Sequence, residues 1–156
     1  MKGKISKTAD VVVYYDRSIE DGVTAGKYIW SNKNITSDHF LSKESGINRI
    51  FIEVVCFERY IWTSKALGGF KEMDLRPGTL KELLALGEQF PNFQREFPIV
   101  ELGSIWRDSF GFYQCAALDK FCSGRDLNLI SFDGGWSDYY RFVAVSLKQR
   151  RLSTAF

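Results

Sequence analysis

The sequence predicts a single α+β domain spanning residues 1–156, with two helices and a small, mainly antiparallel sheet that carries long loops in its C-terminal third. Three observations predict it. Residues 50–57 place Ile50, Ile52, Val54 and Cys56 on one face of an extended chain and Phe51, Val55 and Phe57 on the other, a strand apolar on both sides. Thr79-Leu80-Lys81-Glu82 sets a threonine three residues before a glutamate at the head of a leucine-rich run, which is the capping box of a helix start. Helical patterns fill the middle of the chain and short strand patterns with long connections fill the last third, an order that argues for an antiparallel sheet.

Taken in order, residues 11–14 read as a short strand. Residues 16–26 suit a helix capped by Asp16 or Ser18, with Ile19 and Val23 four apart on one face. Residues 27–46 are rich in Ser, Asn, Lys and Asp and look like an irregular connection pinned by Tyr28, Ile29, Trp30, Ile35, Phe40 and Leu41. Thr63 and Ser64 offer N-caps for a helix through Met73, which Gly68 and Gly69 weaken. The helix opened by Thr79 buries Leu80, Leu83, Leu84 and Leu86; Gly87 loosens its end and Pro91 forbids its continuation. Residues 99–103 are extended, 104–113 a loop around Gly111, 113–118 a strand and 119–126 a turn region. Residues 127–147 then form strand ends, with Leu127, Leu129, Phe142, Val143 and Val145, around an aromatic and small-residue run at 132–140. The basic tail 149–156 is expected to be poorly ordered. Pairing of the N-terminal strand with residues 142–147 would bring the termini together and gather the late loops at one end.

Composition narrows the function. With 45% hydrophobic and 26% charged residues, 156 residues bury one sizeable core. A net charge of +2, from 21 basic and 19 acidic side chains, gives no basis for a phosphate-binding surface, so nucleic acid is not the expected partner. The lysine-bearing start has no apolar core or cleavage site of a signal peptide, and no stretch is apolar for long enough to span a membrane. The expectation is a cytoplasmic or virion-associated protein with no membrane partner. Cys56, Cys115 and Cys122 show no metal-ligand spacing and His39 is the single histidine, so free thiols, no metal and no cofactor are expected. Four tryptophans and seven tyrosines exceed what a core needs and leave material for a binding surface.

Three blocks together carry a resemblance. The segment from Leu75-Arg76-Pro77-Gly78-Thr79 to Gly87, the segment from Gln94-Arg95-Glu96-Phe97-Pro98 to Trp106, and Trp136 with Arg141-Phe142-Val143-Ala144-Val145 resemble a family of small C-type lectin-fold proteins of uncultivated archaea, their viruses and small-genome bacteria. That family includes the variable proteins of diversity-generating retroelements. Ala25-Gly26-Lys27-Tyr28 and Asn34-Ile35-Thr36-Ser37 also fit its pattern. The resemblance implies a C-type lectin-like fold and a non-enzymatic ligand-binding protein whose C-terminal loops are rewritten by adenine-directed mutagenesis on a fixed scaffold. Its expected partner is another protein, and a monomer is favoured. Pyrimidine-ending Asn codons mutated at their adenines reach Ser, Asp, Tyr, Phe, Cys and Gly but never Trp, Lys, Glu, Gln or Met. Asp108, Ser109, Phe110, Phe112, Tyr113, Cys115, Asp119, Phe121, Phe132, Asp133, Ser137, Asp138, Tyr139 and Tyr140 are reachable and form the expected variable surface. Trp106, Gln114, Lys120 and Trp136 are not reachable and are expected to be fixed. Trp136-Ser137-Asp138 is the nearest counterpart of a lectin calcium motif, and no Glu-Pro-Asn partner accompanies it, so calcium-dependent sugar binding is not expected.

Bland readings compete at several positions. Asp133 and Asp138, flanked by Gly and Ser, suit solvated loop carboxylates better than a general acid and base. Gly134-Gly135 lacks the strand-to-helix context of a phosphate cradle and reads as a tight turn. Cys115 with Cys122 is the one pair open to a small enzyme of the formylglycine-generating type, which shares the lectin-like fold. A third reading has the C-terminal aromatics form an assembly interface.

Overall fold

The computed structural model describes residues 3–148 and the backbone of Leu152–Ser153. Its elements run β1 (Lys4–Tyr14), α1 (Ile19–Ala25), β2 (Trp30–Ser31), β3 (Ile47–Cys56), β4 (Ile61–Trp62), α2 (Thr63–Glu72), β5 (Leu75–Pro77), α3 (Leu80–Gln89), α4 (Phe93–Glu96), β6 (Ile99–Val100), β7 (Trp106–Arg107), β8 (Tyr113–Phe121), β9 (Gly124–Ser131), β10 (Gly135–Trp136), β11 (Arg141–Ser146) and β12 (Leu152–Ser153). Ten strands join in one sheet along the path β1-β3-β11-β6-β8-β9-β2, with β12 on β3, β5 on β11 and β7 on β8. A separate two-stranded ladder joins β10 to β4. Most pairs are antiparallel; β11 with β6 and β2 with β9 are parallel.

The fold is α+β, and the sheet is large where a small one was expected. Among the described residues four helices stand where the fold expectation had two; α1 falls within the helical reading of residues 16–26, and α4 is the addition. The reason is the same in both cases: β2, β6, β7, β10 and the single turn of α4 are too short to leave a period in the sequence, and only their partners define them. The expected pairing of the N-terminal strand with residues 142–147 is also corrected. The long strand β3 lies between the two, with Ala9 opposite Ile52 on one edge and Val143 opposite Val54 on the other. The tail from 149 lies outside the described residues except for the backbone of β12, which pairs with β3.

Alternation along the strands divides the core into two layers, one on each face of the sheet. Ile50, Ile52 and Val54 of β3, Val143 and Val145 of β11, Ala116 and Leu118 of β8 and Leu127 of β9 meet Ile19 of α1 and Leu80, Leu83, Leu84 and Leu86 of α3. On the other face, Val55, Phe142, Ala144, Val100, Cys115 and Ala117 meet Ala66 and Phe70 of α2 together with Trp136. The sheet is therefore covered on both sides in its middle. Toward the start of β3 one face opens, and Phe51 is exposed.

Helix α3 begins as its sequence dictates. The Thr79 hydroxyl accepts from Glu82 N–H and the Glu82 carboxylate accepts from Thr79 N–H at 2.8 Å, closing the capping box. The same carboxylate is buried, receives two hydrogen bonds from Arg76 at 2.9 and 2.7 Å, and accepts the Tyr15 hydroxyl at 2.6 Å. A buried charge needs this much compensation, and the network ties β1 to α3 and β5. Helix α1 is capped by Ser18, which accepts from Asp21 N–H at 3.0 Å. Helix α2 has no side-chain cap: its N-cap is Trp62, whose indole has no acceptor to offer, and Thr63 and Ser64, expected as caps, are its first two helical residues.

Residues 27–46 differ from the expectation in an informative way. Tyr28, Ile35 and Phe40 do pack on the core, whereas Ile29, Trp30 and Leu41 are exposed. His39 stacks on Trp106 with ring centroids 4.1 Å apart and planes 8° from parallel, and its Nδ1 contacts the Asn34 carbonyl at 2.8 Å. The single histidine is thus a packing residue that fixes this connection against β7.

Candidate functional site

The C-terminal third presents its exposed aromatic and small polar side chains from three backbone features, each held by a specific side chain. The first is the turn between β7 and β8. The Asp108 carboxylate accepts from Phe110 N–H at 3.0 Å, Phe112 N–H at 2.9 Å and the Gln114 amide at 3.1 Å, and Gly111 supplies a φ of +88°. Desolvation opposes ionisation of Asp108, but the donors from Phe112, Gln114, Phe110 and Gly111 outweigh it and hold its carboxyl below the usual value. The turn points Phe110, 84% exposed, and Phe112 outward beside Ser109 and Tyr113.

The second is the crossover that carries residues 132–140 over the sheet. Thr63 donates its hydroxyl to the Phe132 carbonyl and accepts the Trp136 indole N–H at 2.8 Å, while Thr63 N–H reaches the Gly134 carbonyl at 3.1 Å. Pairing of Gly135 with Trp62 and of Trp136 with Ile61 locks this crossover to β4. Trp136 is buried between Tyr140, at 5.1 Å and 75°, and Phe142, at 5.5 Å and 88°. Arg141 donates to the carbonyl of Asp138 at 2.8 Å and to those of Tyr139 and Tyr140 at 3.3 Å, and its guanidinium lies 3.8 Å from the Phe97 ring centroid. Residues 138–140 form a turn, not a strand, so Tyr139 and Tyr140 part by packing: Tyr140 leans on Trp136, and Tyr139 stays 47% exposed against Phe97. Asp133, Ser137 and Asp138 are exposed, and Phe132 is half-buried against the second core layer.

The third is the β8–β9 hairpin. Its register sets Gln114 opposite Ser131 and Asp119 opposite Asp126, and closes with Cys122 at φ +55° in the turn between Phe121 and Gly124. Alternation puts Tyr113, Cys115, Asp119 and Phe121 on one face of β8, the face that Trp136 and Tyr140 cover at its centre. Tyr140 and Asp119 are close enough for the aspartate to help burial raise the tyrosine hydroxyl. The fourteen residues of the expected variable surface thus fall along one hairpin face and the two loops beside it. Cys115 is the correction: it is 0% exposed, its thiol points to the Ile130 carbonyl at 3.6 Å, and burial together with Glu101 raises it well above the usual thiol range. It shares the face of Tyr113 and Phe121 but lies where Trp136 and Tyr140 cover that face, so it cannot be part of a contact surface.

Several neighbours were missed by sequence reasoning. Tyr60 and Trp62, exposed and T-shaped at 6.0 Å, stand beside Gly135, and Trp30 stands beside Asp126 on the hairpin's outer edge. Their local sequences carry no signal for this, since strand pairing alone brings them there. Cys122 is exposed at the hairpin turn and Cys115 is buried well along β8, so the two thiols are not brought together. Among the described residues no helix is long and apolar enough to cross a membrane. No protein-family model, no curated protein and no solved structure matches the chain.

Proposed function

We propose that this chain is a ligand-binding variable protein of a diversity-generating retroelement, a C-type lectin-like scaffold that displays a diversified C-terminal surface to a protein partner and performs no catalysis. One observation carries the reading. The exposed side chains reachable by adenine mutation stand on backbone held by unreachable or buried groups, Trp136 and Thr63 under residues 132–136 and Gln114 on the Asp108 turn, and by the half-buried Arg141 under 138–140. Exchange of Phe110, Phe112, Phe121 or Tyr139 alters the face without removing these supports, which is what a replaceable surface on a rigid frame requires. Asp108 is the exception, since its carboxylate organises its own turn. A large exposed aromatic share gives contact area at low entropic cost, with a few anchors dominating affinity.

The formylglycine-type alternative needs a paired, accessible dithiol, and the separation of Cys115 from Cys122 speaks against it. The test of the proposed function is genomic and biochemical together. DNA flanking the gene is expected to hold a near-copy of the last third, differing chiefly at adenines, beside a reverse transcriptase. A pool randomised at Ser109, Phe110, Phe112, Phe121, Ser137, Asp138 and Tyr139 is expected to stay folded by circular dichroism. Loss of folding across that pool, or absence of the repeat, overturns the diversification reading.

A further inference from the structure

The outer end of the β8–β9 hairpin carries a cleft that the variable-surface reading does not explain. It measures about 420 Å³ and is lined by Ile29, Trp30, Phe121, Asp126 and Asn128. Its walls are large apolar groups left in solvent, Phe121 at 70% and Trp30 at 50% exposure. Asp126 is the one acidic residue of its lining, and Asp119 stands next to it on the neighbouring strand. Trp30 is the parallel register partner of Asp126, and Asp126 is the antiparallel partner of Asp119, so the three side chains form one row across the same face.

Like charges directly opposite each other on neighbouring strands destabilise a sheet. Here the one donor to the pair among the described residues is Lys120 N–H, on Asp119 Oδ1 at 2.8 Å, and no cation joins it. Neither carboxylate belongs to an ion pair among the described residues. Asp126 Oδ1 is buried with no hydrogen-bond partner, and burial followed by the proximity of Asp119 raises the Asp126 carboxyl above its ordinary value. The nearest strand cation is no help: Arg125 follows the alternation to the opposite face, where it holds the carbonyls of Gly26 and Gly87 at 2.6 Å and the Gln94 amide oxygen at 3.1 Å. Asp126 as a whole is half-buried and lines the cleft, so its carboxyl reaches the cleft while one oxygen stays inside without a donor.

We infer that this cleft seats an arginine side chain of a protein partner, its guanidinium donating to Asp119 and Asp126 and lying against the faces of Trp30 and Phe121. The chemistry selects that occupant. A planar guanidinium offers forked donors to two carboxylates and is weakly hydrated enough to stack on aromatic faces, which an ammonium does less well. A hard divalent ion needs six or more oxygens. Among the described residues no group of three or more His, Cys, Asp or Glu side chains is gathered, and the Asn128 amide oxygen is already taken by Asn32 and by Leu129 N–H. The inference deepens the binding reading by naming the partner's chemistry. It joins a fixed half, Trp30 with Asp126, to a replaceable half, Asp119 with Phe121.

The test follows the Trp30 indole N–H in ¹H–¹⁵N spectra while acetyl-Gly-Arg-Gly-amide is added, with the citrulline tripeptide as the neutral isostere. The arginine peptide is expected to give a saturable shift. Citrulline, Asp126→Asn and Asp119→Asn are each expected to weaken it by about tenfold or more, the loss of a charge-assisted hydrogen bond. Asp126→Asn is also expected to melt no lower than the parent, because it relieves a like-charge pair, and this separates lost recognition from lost folding. Equal shifts with arginine and citrulline, no shift at millimolar peptide, or the same shift with calcium chloride alone would overturn the inference. Because the probe is read at Trp30, failure here leaves the Tyr139 and Phe110 surfaces untouched, and failure of the genomic test leaves the arginine titration standing.

Discussion

The Trp136 indole N–H donates to the Thr63 hydroxyl at 2.8 Å, joining the aromatic crossover to the first residue of a helix 73 positions earlier. That bond fixes the backbone from which residues 132–140 present their exposed side chains. Trp136→Ala is expected to cost about 3–5 kcal/mol, from lost area and the cavity left between Tyr140 and Phe142. Thr63→Val strands a buried indole N–H and the Phe132 carbonyl, for about 1–3 kcal/mol. Urea melts of the two variants and their double mutant measure the coupling. Fully additive costs would show that the bond is incidental.

Tyr139 and Tyr140 are expected to separate under substitution, although they are adjacent. Tyr139→Ala removes an exposed ring and is expected to change stability by less than about 0.5 kcal/mol. Tyr140→Ala takes away the edge-on partner of Trp136 and is expected to cost about 0.5–1.5 kcal/mol beyond its lost area. Denaturant midpoints decide it, and equal costs would mean that Tyr139 is held by Phe97 as firmly as Tyr140 is held by Trp136.

How much of this was legible in the sequence depends on where the information lay. The core of β3 and the start of α3 were readable because period-two alternation and the Thr79–Glu82 box are local patterns. Trp136 was readable as frame because an unreachable aromatic sits among reachable residues. Trp30 was misread as an anchor, since nothing near it reveals that a two-residue pairing with β9 leaves its ring in solvent. Cys115 was misplaced on the surface because codon reachability says nothing about which part of a strand face a later crossover covers. Arg125 sat in what read as a turn and is instead a buried tie between Gly26 and Gly87. Each miss is a tertiary contact between segments far apart in the chain.

Asp108 is expected to act on order more than on stability. Asp108→Ala deletes the acceptor shared by Phe110 N–H, Phe112 N–H and the Gln114 amide, leaving the turn to Gly111 and to the backbone bonds of residue 108 with Phe112 and Gly111. Amide exchange at Phe110 and Phe112 is expected to rise while amides of β9 keep their protection. Unchanged exchange at both sites would show that the Asp108 N–H bond to the Phe112 carbonyl suffices.

Two buried glutamates are expected to bend the pH profile in opposite directions. Burial alone would raise Glu82, but Arg76, Tyr15 and the Thr79 N–H outweigh it and leave its carboxyl below the ordinary value. Its stabilisation is therefore present above the unfolded value of about 4.3 and lost as pH falls through the lower folded value. Glu101 is raised well above the ordinary value, burial overcoming the N–H donors of Ala116 and Ser104. Its contribution is full below the unfolded value and lost as pH rises toward the folded one. Urea midpoints between roughly pH 3 and pH 8 are expected to lose the acid-side rise in Glu82→Gln and the neutral-side fall in Glu101→Gln, each slope bounded by about 1.4 kcal/mol per pH unit. A parent profile flat on both sides would reject both assignments.

Gly103 and Gly135 are expected to respond to alanine in contrasting ways, although both are tightly enclosed. A Cβ on Gly103 would stand 2.5 Å from the Gly78 carbonyl oxygen and 3.0 Å from that of Pro77, backbone atoms fixed by the Gly103 N–H bond to Gly78 at 2.9 Å and by Gly78 N–H on Val143. Nothing there can yield cheaply, so Gly103→Ala is expected near or above the upper end of the roughly 1–3 kcal/mol cost of overpacking. The atoms nearest a Cβ on Gly135 belong to the Tyr60 ring, its hydroxyl at 1.9 Å, and that ring is exposed and able to swing away. Gly135→Ala is expected to shift stability by less than about 0.5 kcal/mol while separating Tyr60 from Trp62, visible as loss of the nuclear Overhauser contact between the two rings. A large destabilisation in Gly135→Ala would instead mark Tyr60 as clamped over the crossover, making it frame and removing it from the exposed aromatic face.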